Sequence, residues 1–339
     1  MNRLESVLGL DLPLLQAGMG GIAGPELCAA VSRAGAGGTL ALYKEPPERV
    51  RELVRSVAAS TSRPFGVNVI PEVTGPAACR AQLRAALDQL PGHGFVTSFG
   101  LPDAGTALDI VRSGHVLVIQ VGTPHDADVA LRLGAGVLVL QGTEAGGHLL
   151  GELPTARLLR ETRARHPDAV LAVAGGVATG TDLAQVQGQG ADGAMAGTLF
   201  IPTVESAAHP YYKQRVVDAS ADDTVVTTRF AIGWPARPHR VLHNALTQNA
   251  PRHPATFIAT TRAGDRRLPV PRYSAAVPVV ETVGRIEQMA MYCGQSCSRV
   301  AGQHPATVVV EEIRRTYEAA GQSHDRSTEG EPWKTRSNR

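Results

Sequence analysis

Residues 115–141 read HVLVIQVGTPHDADVALRLGAGVLVLQ, and this stretch decides the fold. Its two ends, HVLVIQV and GVLVLQ, are apolar runs without polar alternation, which is typical of strands buried on both faces of a parallel sheet. Between them, Thr123 stands where a helix N-cap would, Pro124 occupies the first turn, and Gly134 ends the segment. The stretch therefore predicts two parallel strands joined by a helix.

The same strand–helix unit recurs about eight times between residue 12 and about residue 200. The apolar runs are, in order, LPLLQA, GTLAL, PFGVNVI, GFVTSF, HVLVIQV, GVLVLQ, AVLAVAG and GAMAG. This alternation predicts an α/β protein with the architecture of a (β/α)8 TIM barrel. The alternative is a doubly wound open sheet, but the strand count favours the barrel. In addition, the first run is followed by QAGMGGIAG, whose glycines lack the G-x-G-x-x-G spacing of a dinucleotide turn.

The pattern changes after about residue 200. HPYYKQRVVDAS indicates a helix and DDTVVTTRF a strand, whereas residues 231–275 are rich in Pro, Arg and Gly and show no period. AAVPVVETVGRIEQMAMYCGQS and TVVVEEIRRTYEAA both look helical. We therefore predict a barrel over residues 1–215, a smaller and mainly helical cover over 216–320, and a disordered tail over 321–339.

Composition narrows the class of partner. The net charge is +2 and only 19% of the 339 residues are charged, which argues against a nucleic-acid partner. No apolar run approaches the roughly 18 residues of a membrane span, and the N-terminus does not resemble a signal peptide. Four cysteines are too few for a disulfide framework in a chain of this length. We expect a cytoplasmic protein without a metal site that acts on a small molecule, and we leave a homodimer open.

Two pairs of residues at the ends of the seventh and eighth predicted strands suit a phosphate group. Gly175 and Gly176 end the seventh strand, and Gly197 and Thr198 end the eighth. Barrel enzymes often bind phosphate at these two loops, where backbone N–H groups and helix N-termini favour an anion. The alternative is that the glycines only permit tight turns, but the occurrence of both pairs in adjacent units favours a phosphate site.

Amide side chains end other strands. Asn68 and Gln141 can donate and accept hydrogen bonds together, which suits the edge of a flavin or of another ring with alternating C=O and N–H groups. A single amide of this kind is more often satisfied by neighbouring backbone. Gly18, in QAGMGG after the first strand, would let the backbone approach such a ring, and Met19 would supply an apolar cover.

The sixth strand is followed by GTEAGGHLLG, residues 142–151, which combines flexible residues with a titratable one. Gly146 and Gly147 can adopt backbone angles closed to other residues, so a planar ligand can come close. His148 would then lie at the mouth of the barrel, and an ordinary histidine titrates near pH 6.5, so it can act as a base. We expect Glu144 to be a solvated or helix-capping acid.

Five stretches taken together resemble the nitronate monooxygenases, formerly called 2-nitropropane dioxygenases. They are PLLQAGMGGIAGPELCAAVSRAG, PFGVNVI, QGTEAGGH, AGGV and AGTLF, in register from about residue 10 to about residue 215. YCGQS near the C-terminus also resembles a stretch of the family.

The resemblance implies a barrel that binds FMN non-covalently, with His148 as the base. It implies that the phosphate binds the amides of Gly176, Gly197 and Thr198. The full predicted set of cofactor-binding residues is Gly18, Met19, Asn68, Gln141, Gly146, Gly147, Gly175, Gly176, Met195, Ala196, Gly197 and Thr198.

The implied reaction is oxidation of an alkyl nitronate or nitroalkane by O2 to a carbonyl compound and nitrite. His148 would remove a proton alpha to the nitro group or orient a nitronate that is already ionised. FMN-dependent enoyl-acyl-carrier-protein reductases, which use NAD(P)H, share the EAGGH stretch, but VTSFGLP and Gln141 resemble the monooxygenases more closely. Two further alternatives are another FMN oxidoreductase of a biosynthetic pathway and a non-catalytic flavin-binding protein.

Overall fold

All eight predicted strands are present in the computed structural model, which describes residues 2–234, 237–248, 257–263 and 266–328. They form one parallel sheet in the order β1-β9-β8-β6-β5-β4-β3-β2. Their bounds are β1 Leu14–Gln16, β2 Gly38–Ala41, β3 Phe65–Val69, β4 Phe95–Phe99, β5 Val116–Val121, β6 Val137–Gln141, β8 Leu171–Ala174 and β9 Gly193–Ala196. The label β7 belongs to a short strand outside this sheet, Gly147–His148.

The two end strands of the sheet meet, so the sheet closes into a barrel. Leu15 of β1 forms a parallel bridge with Gly37, next to the start of β2. Gly37 N donates to Leu14 O at 2.8 Å, and Gln16 N donates to Gly37 O at 2.9 Å. Together with the helices between the strands, this closure confirms the (β/α)8 barrel and excludes the open-sheet alternative.

Helices follow the strands in the predicted alternation. Their bounds are α1 Arg3–Leu8, α2 Pro25–Arg33, α3 Pro47–Ser60, α4 Pro71–Thr74, α5 Pro76–Leu87, α6 Ala104–Arg112, α7 Pro124–Arg132, α8 Thr155–Arg165, α9 Gly180–Gly188, α10 Pro210–Val217 and α11 Ala306–Thr328. In α7 the Thr123 hydroxyl accepts from Asp126 N at 3.0 Å, and Gly134 has a left-handed φ of +90°. The capping residues predicted for this helix therefore work as expected.

Side chains alternate between the barrel axis and the surrounding helices. Leu15, Phe95, Val118, Val139 and Met195 are buried in one cluster inside the barrel. The residues two positions beyond the interior residues of β5 and β6 are Gln120 and Gln141. This alternation places both amides on the axis side at the C-terminal mouth, where barrel enzymes carry their sites.

The cover is built differently from the prediction. Its strands are β10 Thr224–Thr227, β11 His239–Leu242, β12 Phe257–Ala263, β13 Arg266–Pro271 and β14 Val283–Gly284. They form two small antiparallel sheets, β10-β11-β7 and β13-β12-β14. The mainly helical cover is therefore wrong for the described residues before α11.

The clearest error is the helix predicted over residues 275–296. That stretch has no α-helix and contains only β14, the short 3-10 turn Ile286–Gln288, and the start of another 3-10 turn, Gln295–Arg299. Its apolar residues pack into several separate clusters, so their spacing does not report a helical face. The helix predicted near the C-terminus is present as α11.

Helix α11 returns to the barrel wall. Its Arg314 donates to Ala34 O at 2.7 Å, and its Thr316 hydroxyl accepts from Gly180 N at 3.0 Å. The helix continues to Thr328, so residues 321–328 of the predicted tail are helical, and residues 329–339 lie outside the described part. None of the described helices is long and apolar enough to cross a membrane.

Candidate active site

The predicted cofactor residues lie on neighbouring loops around the barrel mouth. Asn68 Nδ2 donates to Gly18 O at 3.3 Å, and its Oδ1 accepts from Thr97. A Cβ at Gly18 would lie 2.2 Å from the Asn68 Cβ, so this close contact requires glycine. After β9, the neighbour of β1, a Cβ at Gly197 would lie 3.5 Å from the Met19 sulfur. The loops after β1, β3 and β9 thus form one continuous rim.

A segment of the cover joins this rim to the remaining loops. We call residues 292–299 the strap. Gly294 N donates to the Thr198 hydroxyl at 2.9 Å, and Gln295 N donates to Glu144 O at 3.0 Å. A Cβ at Gly146 would lie 2.5 Å from Gly294 N, so backbone packs directly on backbone. The strap therefore connects the loops after β6 and β9.

The turn after β8 completes a concave part of the rim, formed together with Gly197 and Thr198, which we call the cup. Gly175 and Gly176 have φ angles of +114° and +84°, a region that favours glycine. A Cβ at Gly175 would crowd Ala145 N, whereas one at Gly176 would meet nothing within 4 Å. Arg299 of the strap donates to Gly176 O and pairs with Asp182 at 3.0 Å. Gly176 therefore faces open space while its turn is held from the cover side.

The remaining predicted residues are placed as follows. Met195 is 5% exposed and points into the barrel interior, and Ala196 O accepts from Ala17 N at 2.9 Å. Gly147 has a φ of +83°, and an added Cβ would meet nothing within 4 Å. Glu144 accepts from both Thr155 N and the Thr155 hydroxyl, which confirms the helix-capping interpretation for α8.

Gln141 holds the segment that carries the histidine. Its Nε2 donates to His148 O at 2.9 Å, and its Oε1 accepts from Leu150 N at 2.8 Å. The amide therefore fixes the backbone on both sides of Leu149. This is the backbone-satisfied arrangement that the sequence left as the alternative to a contact with a ring.

His148 lies where the barrel and the cover meet. Its short strand β7 pairs antiparallel with β11, with His148 opposite His239 and Gly147 opposite Arg240. The side chain is 6% exposed, and its Nε2 is buried without a hydrogen-bond partner among the described residues. A buried polar atom of this kind costs free energy unless a ligand or water satisfies it. The unpartnered nitrogen is therefore a polar atom that a ligand or a water molecule would satisfy.

Burial sets the charge of this imidazole. It lowers the pKa of His148 from its ordinary value of 6.5 to about 3, and the neighbouring Arg237 and His239 act in the same direction. His148 is therefore neutral at physiological pH, with one ring nitrogen able to accept a proton. The ordinary pKa near 6.5 expected from the sequence is therefore lowered by burial at this position.

Aromatic residues of the cover surround the imidazole. The Trp234 ring stacks on His148 with centroids 3.8 Å apart and planes 16° apart. Tyr292 and His239 each lie at 5.1 Å. His239 accepts from Phe230 N through Nε2, so its Nδ1 carries the proton and donates to Arg237 O at 3.0 Å. This histidine is a neutral structural group that fixes the loop carrying Trp234.

One carboxylate anchors that loop to the barrel. Glu72, after β3, accepts from Trp234 Nε1 at 2.9 Å and from Arg237 Nε at 2.8 Å. Burial raises the pKa of Glu72, but hydrogen bonds from Arg237 and Trp234 outweigh it and leave the pKa below its ordinary value. The sequence did not identify Glu72, Trp234, His239 or Tyr292. The only available signal was the YCGQS resemblance, which points to Tyr292 and the strap.

The rim presents groups that suit a phosphate. Gly147 and Gly176 both face open space, and the Thr198 hydroxyl keeps its own proton after accepting from Gly294 N. Positive-φ glycines beside a hydroxyl form the kind of concave backbone surface that accepts a phosphate. The orphan His148 nitrogen supplies a polar group beyond that cup.

Comparison with known proteins identifies the family. The sequence model of the nitronate monooxygenase family matches residues 2–315. The chain belongs to the nitronate monooxygenase family. The family is one of flavoenzymes, and its curated members include nitronate monooxygenases, so this protein is an oxidoreductase.

Two curated relatives show the breadth of the family. A nitronate monooxygenase of Pseudomonas aeruginosa is 28% identical, with 74% of this chain and 83% of the relative covered. A protein of Mycobacterium tuberculosis is 32% identical, with 72% of this chain and 67% of the relative covered. The second is named (3aS,4S,5R,7aS)-5-hydroxy-7a-methyl-1-oxo-octahydro-1H-indene-4-carboxyl-CoA dehydrogenase.

Solved structures agree on the architecture. FabK from Thermotoga maritima superposes with a TM-score of 0.79 at 26% identity, covering 96% of this chain and 99% of that chain. A nitroalkane oxidase from Streptomyces ansochromogenes superposes with a TM-score of 0.76 at 27% identity, covering 95% and 99%. The fold is therefore shared over nearly the whole chain, including the cover.

Proposed function

We propose that this protein binds FMN and oxidises alkyl nitronates with O2 to a carbonyl compound and nitrite, with His148 in contact with the substrate. The observation that carries the proposal is the buried, unpartnered Nε2 of His148 at the barrel mouth. The family, the nitroalkane oxidase among its structural relatives and the glycine-lined cup support it.

The chain's own residues would hold the cofactor as follows. Gly176, Gly197 and Thr198 would bind the phosphate, and Gly147 and Gly18 would let backbone approach the ring. When bound, FMN supplies the electron acceptor and the reaction with O2. Arg299 and Gly294 would keep the cup closed through their bonds to Gly176 and Thr198. Trp234 and Tyr292 would exclude water from the imidazole.

The charge state of His148 favours an ionised nitronate over a neutral nitroalkane. A base is most efficient when its pKa lies near the working pH, and burial holds the pKa of His148 at about 3. An anionic substrate beside the ring would raise that pKa, because it stabilises the imidazolium. His148 would therefore orient and neutralise a nitronate, and would remove a proton from a nitroalkane more slowly.

The test is His148→Asn with FMN retained, assayed by nitrite release. With neutral nitroethane we expect kcat/KM to fall by roughly 10²- to 10⁴-fold, since general-base catalysis is lost. With preformed ethyl nitronate we expect a smaller loss. The matched control is His93→Asn, which changes an exposed histidine before β4. An unchanged rate with both neutral nitroethane and ethyl nitronate in His148→Asn would remove the histidine from the mechanism.

A second candidate is an FMN oxidoreductase acting on an acyl thioester, such as an enoyl-thioester reductase that uses NAD(P)H. The observation that favours it is the 32% identity to a protein named as a carboxyl-CoA dehydrogenase. Anaerobic mixing with NADPH discriminates between the two. Rapid flavin bleaching that is reversed by an enoyl-CoA would support the thioester reaction, whereas nitrite release that needs only nitronate and O2 supports the first proposal.

A further inference from the structure

A cavity of about 380 Å³ opens beside the candidate active site. It lies between the loops that follow β3, β4 and β5, and Leu150 and Arg237 close its far side. The volume falls in the range of small-molecule sites, about 300–1,000 Å³. The residues assigned to the cofactor do not line it.

One aromatic layer separates this cavity from His148. Phe99 lines the cavity and meets the edge of Trp234 with ring centroids 5.4 Å apart. Trp234 in turn stacks on the imidazole at 3.8 Å. Arg237, also in the wall, donates to Leu149 O at 3.2 Å. The Trp234 ring therefore lies between the cavity and the imidazole.

Most of the wall is apolar. Phe99, Leu101, Val121 and Leu150 contribute side chains, and Gln120 adds an amide on the axis side of β5. A wall of this composition binds a short hydrocarbon chain, with the amide available for a hydroxyl or amine at its end.

The charges of the wall are unbalanced. Three carboxylates, Glu72, Asp103 and Asp126, face one guanidinium, that of Arg237. Arg237 is already paired with Glu72, and Asp103 is paired with Arg80, which is not part of the wall. Within the described residues, no donor lies within hydrogen-bonding distance of the Asp126 carboxylate. Among the described residues of the wall, Asp126, in the first turn of α7, is thus the carboxylate without a side-chain partner, and the one cation, Arg237, is already paired.

We propose that this cavity holds the distal part of the substrate and selects an uncharged or cationic chain against one that ends in a carboxylate. Asp126 is the selecting residue. The inference rests on the proposed function for the identity of the reacting group, but the charge selection concerns the cavity itself. A carboxylate held in the cavity would be repelled by the Asp126 carboxylate, so we expect selection of about tenfold.

Binding is measured on the flavin-loaded protein with three probes that cannot react: pentan-1-ol, pentylammonium and pentanoate. The chain has two tryptophans, so Trp333→Phe leaves Trp234 as the fluorescent reporter beside the cavity. In this background we expect pentanoate to bind about tenfold more weakly than pentan-1-ol. Asp126→Asn should bring the two within about threefold and weaken pentylammonium about tenfold.

The matched control is Asp168→Asn, which makes the same charge change at an exposed position before β8, at the opposite end of the barrel. It should leave all three affinities unchanged. Pentanoate binding as tightly as pentan-1-ol, an unchanged ratio in Asp126→Asn, or no fluorescence response to any probe would overturn the proposal.

A second measurement separates this inference from the proposed function. Nitrite release is assayed with the nitronates of 5-nitropentan-1-ol, 5-nitropentylamine and 5-nitropentanoate, and kcat/KM should follow the order of probe binding. No nitrite from any of them, with the binding order intact, would refute the nitronate reaction and leave the charge selection standing. Equal kcat/KM for all three would show that the substrate does not use the cavity.

Discussion

The barrel and the cover contribute to the same site in different ways. The barrel strands place Asn68, Gln141 and Thr198 on a closed rim whose geometry follows from the sheet. The cover places Trp234, His239 and Tyr292 against His148 through two small sheets and a strap. Stability should therefore depend mainly on the barrel, and the environment of the imidazole mainly on the cover.

The largest expected effect comes from opening a hole in the barrel. Phe95 is fully buried on the barrel axis, and its ring packs directly on Gly66. We expect Phe95→Ala to lower the free energy of unfolding by about 3–5 kcal/mol, because the cavity cannot collapse between closed strands. Phe257→Ala in the cover, where the ring is 69% exposed, should cost under about 0.5 kcal/mol. Urea unfolding measures both, and equal losses would contradict the comparison.

The same contrast explains what the sequence could predict. Each barrel strand is buried on both faces, so it leaves a continuous apolar run such as VLVIQV that marks it without reference to its neighbours. The cover strand β14, by contrast, is only two residues long and pairs with β12. In the cover, prolines and arginines interrupt the alternation of apolar and polar residues that would mark a strand.

The site divides along the same line. The rim positions of Gly176 and Thr198 were predictable because barrel topology fixes where the strands end, and the position of His148 was predictable because it follows such an end. Trp234 and Glu72 lie 162 residues apart and meet only through one hydrogen bond between cover and barrel. A contact of that sequence separation leaves no local pattern, so the sequence alone could not reveal it. The depressed pKa of His148 depends on burial by the same cover residues, so the sequence could not reveal it either.

Because His148 is buried where the barrel and the cover meet, we expect the protein to lose stability in mild acid. Unfolded chains protonate His148 below its ordinary pKa of 6.5, whereas the folded protein does not until about pH 3. Between these values protons favour the unfolded state, so stability falls as the pH falls below 6.5. At pH 5 the loss from this residue is about 2 kcal/mol. His148→Asn should lack that loss in urea titrations at pH 7, 6 and 5, and the exposed His93→Asn should retain it. Parallel curves for wild type and His148→Asn would show that the junction does not bury the ring.

The smallest effect concerns the bond by which the strap joins the barrel rim. Thr198→Val keeps the shape of the side chain but removes the acceptor for Gly294 N, leaving a buried donor unsatisfied. We expect a loss of about 1 kcal/mol in unfolding free energy and roughly fivefold weaker FMN binding, because the same hydroxyl would serve the phosphate. Thr198→Ser should restore both.

Thr203→Val provides the comparison, since its buried hydroxyl bonds only to Phe200 O within its own turn. It should cost similar stability and leave FMN affinity unchanged, so an equal loss of FMN affinity in both valine variants would mean that the strap and rim act only through general stability.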